Sequence, residues 1–385
     1  MGIAQDHALG RNRKFYAKKE ADGAYGTYIK PVAADAAKVL SCSFDYGQER
    51  KNRADSRTIR GQYTDASDTG RITGRKTVNW SLDAYLIPSG SGSTDPDLFE
   101  LFTAAMGASS SQVFSLTSGQ ALNSLCLTQR IGDVVMEAIT GAYVETMSIS
   151  MSGGDDPKVS FDGGASNYIV TTTSTTNGTG SGTATLVVDD ADAFEIGSVV
   201  AIAADDSSGA GYKVTNKSST TLTLDSTASW SDGVAVTPFT AAEATVGSPS
   251  PGITGSVTLA GNSGIEIIAF DVTLKNGIKP MADEAFSAVV TDFIPGYREV
   301  TGSLTVRCAK DQALELGKRR GFSARDLQIV SGSGTGKVCT IDLNDVEFGF
   351  SALDIPEAEE VVISLPFTAL ASSATANDEI TITFS

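Results

Sequence analysis

From Val78 to Leu86 apolar and polar side chains alternate without a break. Val78, Trp80, Leu82, Ala84 and Leu86 share one parity, and Asn79, Ser81, Asp83 and Tyr85 the other. Period two is the side-chain repeat of a strand, and one apolar parity describes a sheet covered on one face and wet on the other. The pattern returns at Leu40–Tyr46, at Thr146–Met151 and at Ile268–Lys275. Between these stretches lie Gly-, Ser- and Thr-rich breaks, with 39 glycines in 385 residues. The expected fold class is mainly β. One short helix is expected where PDLFELFTAAMG runs from an early Pro and acids through an apolar stretch to Gly107. Its N-cap acceptor is expected within Ser93-Thr94-Asp95.

The chain is too long for one core, since single cores stop growing near ~250 residues. Residues 1–35 read as an arm. Arg11, Arg13, Lys14, Lys18 and Lys19 stand there against Asp6 and Glu20. The loop 47–60 is also basic, carrying Arg50, Lys51, Arg53, Arg57 and Arg60 against Glu49 and Asp55. Residues 36–165 form a strand-rich domain. Residues 166–255 change character, with linker-like TTTSTTNGTGSGTAT and VGSPSPGITG bracketing short strand patterns. This segment holds nine acids and two lysines and reads as a small inserted acidic β-domain. Residues 256–385 resume the first pattern. GRKTVNWSLDAY (74–85) aligns without gaps to GYREVTGSLTVR (296–307), SFDYG (43–47) to AFDVT (269–273), and LCLTQRIGDV (125–134) to VCTIDLNDV (338–346). Matches in one order indicate a duplicated domain.

The chemistry available is narrow. His7 is the one histidine, so histidine-based catalysis has a single candidate and His-built zinc sites none. Cys42, Cys126, Cys308 and Cys339 are far apart and read as reduced core residues. SGSGTGK (331–337) lacks the phosphate-loop spacing and reads as a hairpin loop. DDADAFE (189–195) lacks the calcium-loop Gly and Glu and reads as a solvated turn. Trp80 and Trp230 read as packing residues. No catalytic residue, metal or cofactor is expected, and the chain is not expected to be an enzyme. The formal charge of −17 argues against gripping nucleic-acid phosphates. No apolar run reaches the length of a membrane-spanning helix, no secretory signal is visible at the start, and no membrane binding is expected.

KFYAKKEADGAYGTYIKPVAADA, GRKTVNWSLDAYLIPSG and PDLFELFTAAMG, with GYREVTGSLTV and the closing EITITFS, resemble the major tail tube proteins of long, non-contractile-tailed (siphophage-type) bacteriophages. The resemblance implies duplicated tail-tube β-sandwich or barrel domains with a short flanking helix, and the small β-domain on the tube exterior. It implies stacked rings of this chain, three chains per ring with pseudo-sixfold symmetry, in the virion tail after assembly in the host bacterial cytoplasm. The partners implied are the tape-measure, terminator and distal tail proteins, with double-stranded DNA passing through without being held. Period-two phase then leaves Ser41, Ser43, Asp45, Asp83, Asp271 and Thr273 for the lumen, with Asp45 and Asp271 at matching places. The basic residues of the arm and the 47–60 loop are left for stacking one ring on the next. A carbohydrate-binding or adhesive β-protein of a phage tail or cell surface is the alternative, and the small β-domain and acidic loops would then hold the ligand.

Overall fold

The structure, a computed structural model, describes residues 13–52, 71–90, 95–110, 112–117, 122–132, 134–203, 211–242, 247–263, 265–281, 287, 289–307, 325–349, 361–373 and 376–385. It is mainly β. The first strands are β1 (Arg13–Lys19), β2 (Ala36–Ala37), β3 (Ser41–Asn52) and β4 (Arg71–Tyr85). Helix α1 (Phe99–Met106) follows, then β5 (Gly107–Ser110), β6 (Val113–Leu116), β7 (Leu125–Ile131), β8 (Val135–Ala142), β9 (Thr146–Ser152), β10 (Lys158–Ala165) and β11 (Asn167–Thr171). The insert holds β12 (Ser174–Thr175), β13 (Gly180–Val187), β14 (Val199–Ile202), β15 (Tyr212–Lys217), β16 (Thr221–Trp230) and β17 (Ala235–Pro238). The rest comprises β18 (Gly255–Leu259), β19 (Asn262–Ser263), β20 (Ile267–Lys275), β21 (Lys279–Pro280), β22 (Phe293–Ile294), β23 (Glu299–Arg307), β24 (Arg325–Ser331), β25 (Cys339–Phe348), β26 (Val362–Ala369) and β27 (Ile380–Phe384).

Strand pairing before the insert recurs after it, in the same chain order. Antiparallel pairs β1–β2, β1–β7, β7–β8 and β8–β11 are answered by β18–β19, β18–β24, β24–β25 and β25–β27. Pairs β3–β4, β4–β10 and β10–β9 are answered by β20–β23, β23–β26 and β26–β25. Backbone corners recur with them. The turns after β7 and β24 pass through Gly132 (φ 58°) and Gly332 (φ 89°). The bend that carries the chain from one layer to the other sits at Gly141 (φ 62°) and at Asp345 (φ 44°). Only glycine, and less readily Asp or Asn, enters this left-handed region at low cost.

Each half is two layers. In the first half the outer layer is the sheet β11-β8-β7-β1-β2, and β3, β4, β10 and β9 form the facing layer. In the second half β25 stays continuous through its bend, so both layers belong to one fourteen-stranded sheet. β9 pairs with β20, joining the halves edge to edge, and β6 pairs with the C-terminal β27. One apolar core runs through both halves, from Phe15, Leu127 and Ile139 to Leu304, Ile341 and Phe384. Phe102 of α1 stands 5.3–5.4 Å, ring to ring, from Phe114, Phe161 and Phe384, so the helix packs on both halves at once. Burying each such ring is worth ~1.5–3 kcal/mol.

Several expectations are corrected. Residues 13–19 are not a free arm. They are a central strand of the outer layer, with Phe15, Tyr16 and Ala17 buried. Gly47–Asn52 continues β3 and is not loop. Residues 167–171 pair with β8, so the insert begins after them. The N-cap of α1 is Leu98 in a left-handed conformation (φ 63°) with no side-chain cap, whereas Gly107 closes the helix as expected; Ser93 and Thr94 lie outside the described residues. Only the first of the three sequence matches joins counterpart strands in register. SFDYG and AFDVT are two residues out of register, since Ser43 faces Ser81 whereas Asp271 faces Ser303. LCLTQRIGDV lies on β7 and VCTIDLNDV on β25, whose pairing counterparts are β24 and β8.

The correct match hides a side-chain exchange. Trp80 lies opposite Gly163 on the neighbouring strand, and its counterpart Gly302 lies opposite Phe367. Large ring and glycine have swapped strands. A Cβ on Gly302 would stand 2.6 Å from the Phe367 ring.

The insert closes on itself. Its sheet runs β12-β17-β14-β15-β16-β13, and Thr176 bridges to Val188 to bring the two ends together. It has a core of its own, including Leu186, Phe194, Val214, Leu222 and Trp230. It is also seated on the outer layer, where Val199, Phe239 and Ala241 cover Tyr16, Tyr28, Met136 and Ile169. Lys30 pairs with Asp225 at 3.2 Å across this seam, and the Tyr16 hydroxyl donates to the Ala241 carbonyl at 2.8 Å.

Two buried acids pin the chain around these layers. Glu20 accepts from the backbone N–H groups of Gly141 (2.7 Å) and Gly26 (3.0 Å) and from the Ser124 hydroxyl (2.7 Å), which fixes the corner. Asp97 accepts from the Lys38 N–H at 2.9 Å, while its Oδ1 is buried without a partner, and burial pushes its carboxyl up to about 6.

Gly141→Ala should cost ~2 kcal/mol or more, because the new methyl meets Tyr25 and Ser166 at 2.8 Å in a left-handed conformation. Asp345→Gly, at the matching corner, should stay within ~1 kcal/mol of the parent, as chemical denaturation would measure. Asp97 protonates more readily folded than unfolded. Its protonation therefore stabilises the fold as pH falls below about 6, and that contribution is lost as pH rises through 6. Asp97→Asn should raise stability at pH 7–8 by roughly 2–3 kcal/mol and remove this part of the pH slope, as thermal melts of both proteins between pH 4 and 8 would show.

Candidate functional site

Period-two strands lying side by side turn their polar parities into one surface. The sheet β3-β4-β10-β9-β20-β23-β26 does so without interruption across the joint between the halves. Register sets the rows. Ser41, Asp83, Ser160, Ser148, Thr273, Thr301 and Thr368 lie opposite one another in turn. Ser43, Ser81, Asp162, Thr146, Lys275 and Glu299 make the adjacent row. The opposite parity is core, including Leu82, Phe161, Ile149, Val272 and Leu304, each no more than 1% exposed.

All six residues expected on a common surface, Ser41, Ser43, Asp45, Asp83, Asp271 and Thr273, are on this face. Asp45 and Asp271 are not at matching places, however. By register Asp45 answers to Thr273, and Asp271 to Ser43. β9, β10 and β26 also contribute to the surface. Their alternation was legible in TMSISMS, but its membership of this face depends on pairing.

Hydroxyl and carboxylate bond to each other along the face. The Ser41 hydroxyl donates to Asp83 at 2.6 Å, Ser303 donates to Asp271, and Ser148 and Thr273 share a bond of 2.9 Å. Asp45, Asp83, Asp162, Asp271, Glu299 and Glu347 stand on it against Lys158, Lys275 and Arg307. Partial burial raises the Asp162 carboxyl, a shift that Thr146 hydrogen bonding and the Lys275 charge oppose. Among the described side chains the surface is thus hydroxyl-rich with an anionic excess.

The basic residues are differently placed. Arg13, Lys14, Lys18 and Lys19 lie on β1. Arg13 donates to the Cys42 carbonyl at 3.3 Å, Lys18 pairs with Asp35 at 2.9 Å and Lys19 with Asp22 at 3.4 Å. Arg50 and Lys51 lie on β3 opposite Thr73 and Ile72. Arg11, Arg53, Arg57 and Arg60 lie outside the described residues. Trp80 and Trp230 are buried, so neither is a stacking platform for sugar. Asp189 accepts from Thr175, Asp190 caps the turn at Asp192, and Asp192 pairs with Lys217, which satisfies that acidic run locally. SGSGTGK is the β24–β25 hairpin loop. Cys42, Cys126 and Cys339 are free and buried, and burial raises all three thiols.

No protein-family model matches the sequence, and no curated protein matches it significantly.

Sequence reasoning missed Asn276. It is fully buried at the end of β20 and donates its side-chain amide to the Ala105 and Val144 carbonyls, both at 3.0 Å. Beside it Glu145 accepts from Asn276 N–H at 2.9 Å through its carbonyl and from Ile278 N–H at 2.7 Å through its carboxylate. These bonds lock the second half onto the first. An Asn after a strand carries no distinguishing sequence signal.

If the polar face serves a partner or a passage and not the fold, its side chains should be dispensable for stability. Asp83→Ala and Ser43→Ala, both at exposed positions, should each change the unfolding free energy by less than ~1 kcal/mol, as urea titration would measure.

Proposed function

We propose that this chain is the structural subunit of a phage tail tube, a hollow conduit built of stacked rings of identical chains. The observation that carries the reading is the joint between β9 and β20. It shows how one half of this architecture adds to the next, edge to edge, with the hydroxyl-rich acidic face continuous across the join. The β3 edge, which is the counterpart of the β20 edge that β9 covers, has no strand paired to it among the described residues of the chain. Repeating the joint between chains supplies one. Halves that are duplicates of a single tube domain would then close a ring of three chains with pseudo-sixfold symmetry. Closure removes the open edges that otherwise invite aggregation.

In that ring the polar face lines the channel. A hydroxyl-bearing wall whose acids outnumber its cations repels phosphates, so double-stranded DNA passes and does not bind. The insert sits on the layer across the core from this face, which puts it on the tube exterior. Residues 13–37 pack as part of each subunit's wall and are not free to reach a stacked ring. The chain acts as a wall and not as an enzyme. Its partners are further copies of itself and the tape-measure, terminator and distal proteins of a virion tail assembled in the host cytoplasm.

Purified protein should form rings or hollow tubes in negative-stain electron microscopy. Asp83→Lys with Asp271→Lys should still assemble, but the tubes should retain DNA fragments that the parent lets pass. A monomer under all assembly conditions would remove the reading.

A further inference from the structure

The joint between the halves also assigns a seat for a neighbouring chain. At Val144–Glu145 the first half receives Asn276–Ile278 through the bonds described above. The second half has the same place. Glu145 N–H donates to the Asp162 carbonyl, and Gly349 N–H donates to the Pro366 carbonyl at 2.7 Å in the matching position, so Phe348 and Gly349 answer to Val144 and Glu145. No described residue of the chain occupies that place. It is an open groove of about 420 Å³, lined among others by Gly302, Glu347, Phe348, Gly349, Pro366 and Phe367.

The register also names the occupant. β20 faces β23 with Ala269 opposite Thr305, and β3 faces β4 with Ser41 opposite Asp83. Thr305 aligns with Asp83 in the gapless match, so Asn276 answers to Gln48. Both positions are amide residues at a break in the ladder, since β20 ends at Lys275 and β3 is bulged between Gln48 and Arg50.

We propose that the groove at Phe348–Gly349 receives residues Gln48–Arg50 of a second copy of this chain. The contact is head to tail, with β3 of one copy against the second half of the next. The groove contributes the Glu347 carboxylate, and the entering end of the strand, residues 48–52, carries Arg50 and Lys51 against the single acid Glu49, a net positive charge that complements it. Arg50 and Lys51 thus serve the lateral joint within a ring and not the stacking of rings. The inference rests on the ring reading and specifies its contact.

The test uses full-length protein with Cys308→Ser; Cys42, Cys126 and Cys339 stay buried. Gln48→Cys and Gly349→Cys are made in separate chains, mixed, assembled and oxidised. Residues directly opposite across antiparallel strands lie within disulfide range. A disulfide-linked dimer should form only in the mixture, and more than tenfold above either variant alone. A new Cβ at Gly349 meets Pro366 at 3.3 Å, so Arg50→Cys with Glu347→Cys provides a second pair, and near-ultraviolet circular dichroism checks folding. Sedimentation separates the two claims. Rings without either cross-link overturn this contact and leave the ring reading standing. A Gln48→Cys homodimer would mean symmetric edge pairing and also overturns it. A chain that stays monomeric overturns both.

Discussion

A sheet edge is a row of backbone donors and acceptors that must be satisfied, and this architecture is organised around where its edges go. The insert closes its own sheet through Thr176 and Val188. The second half has its β20 edge covered by β9, and its β27 edge covered by β6. Among the described residues the longest strand left open is β3, twelve residues from Ser41 to Asn52, and the groove beside Gly349 is open as well. Long strands left open in this way are a hazard unless another chain covers them. The basic end of β3 and the bulge between Gln48 and Arg50 discourage indiscriminate pairing while leaving the strand usable by a matched partner.

The two halves reach one topology with different residues. Gly141 and Asp345 serve the same corner, and Trp80–Gly163 and Gly302–Phe367 fill the same core position from opposite strands. A sequence comparison column by column sees Trp against Gly and scores a mismatch. Packing sees one ring over one glycine in both cases. This is why GRKTVNWSLDAY found its counterpart while the corner residues did not announce theirs.

Period two made the strands and the wet face legible, since Ser41, Ser43, Asp45, Asp83, Asp271 and Thr273 all share that face. Local composition also gave the insert's strands, the hairpin at SGSGTGK and the closing Gly107 of the helix. Composition misjudged two segments. Arg13–Lys19 looked like a solvated arm because its charges flank Phe15, Tyr16 and Ala17, yet those three side chains are buried and the lysines reach outward along the layer. Gly47–Asn52 looked like loop because an edge strand carries polar residues on both parities. The matching of SFDYG to AFDVT failed because any two alternating strands agree at every second residue, and only cross-strand register breaks the tie.

The central claim is that the polar face of the joined halves looks inward upon a closed channel. Cryo-electron microscopy of assembled protein, viewed in cross-section, tests it most directly. The account predicts six lobes from three chains, Ser43, Asp83 and Asp271 on the channel wall and the inserts projecting outside. Six chains per ring, or a channel lined by the outer layer with the polar face turned away, would contradict it.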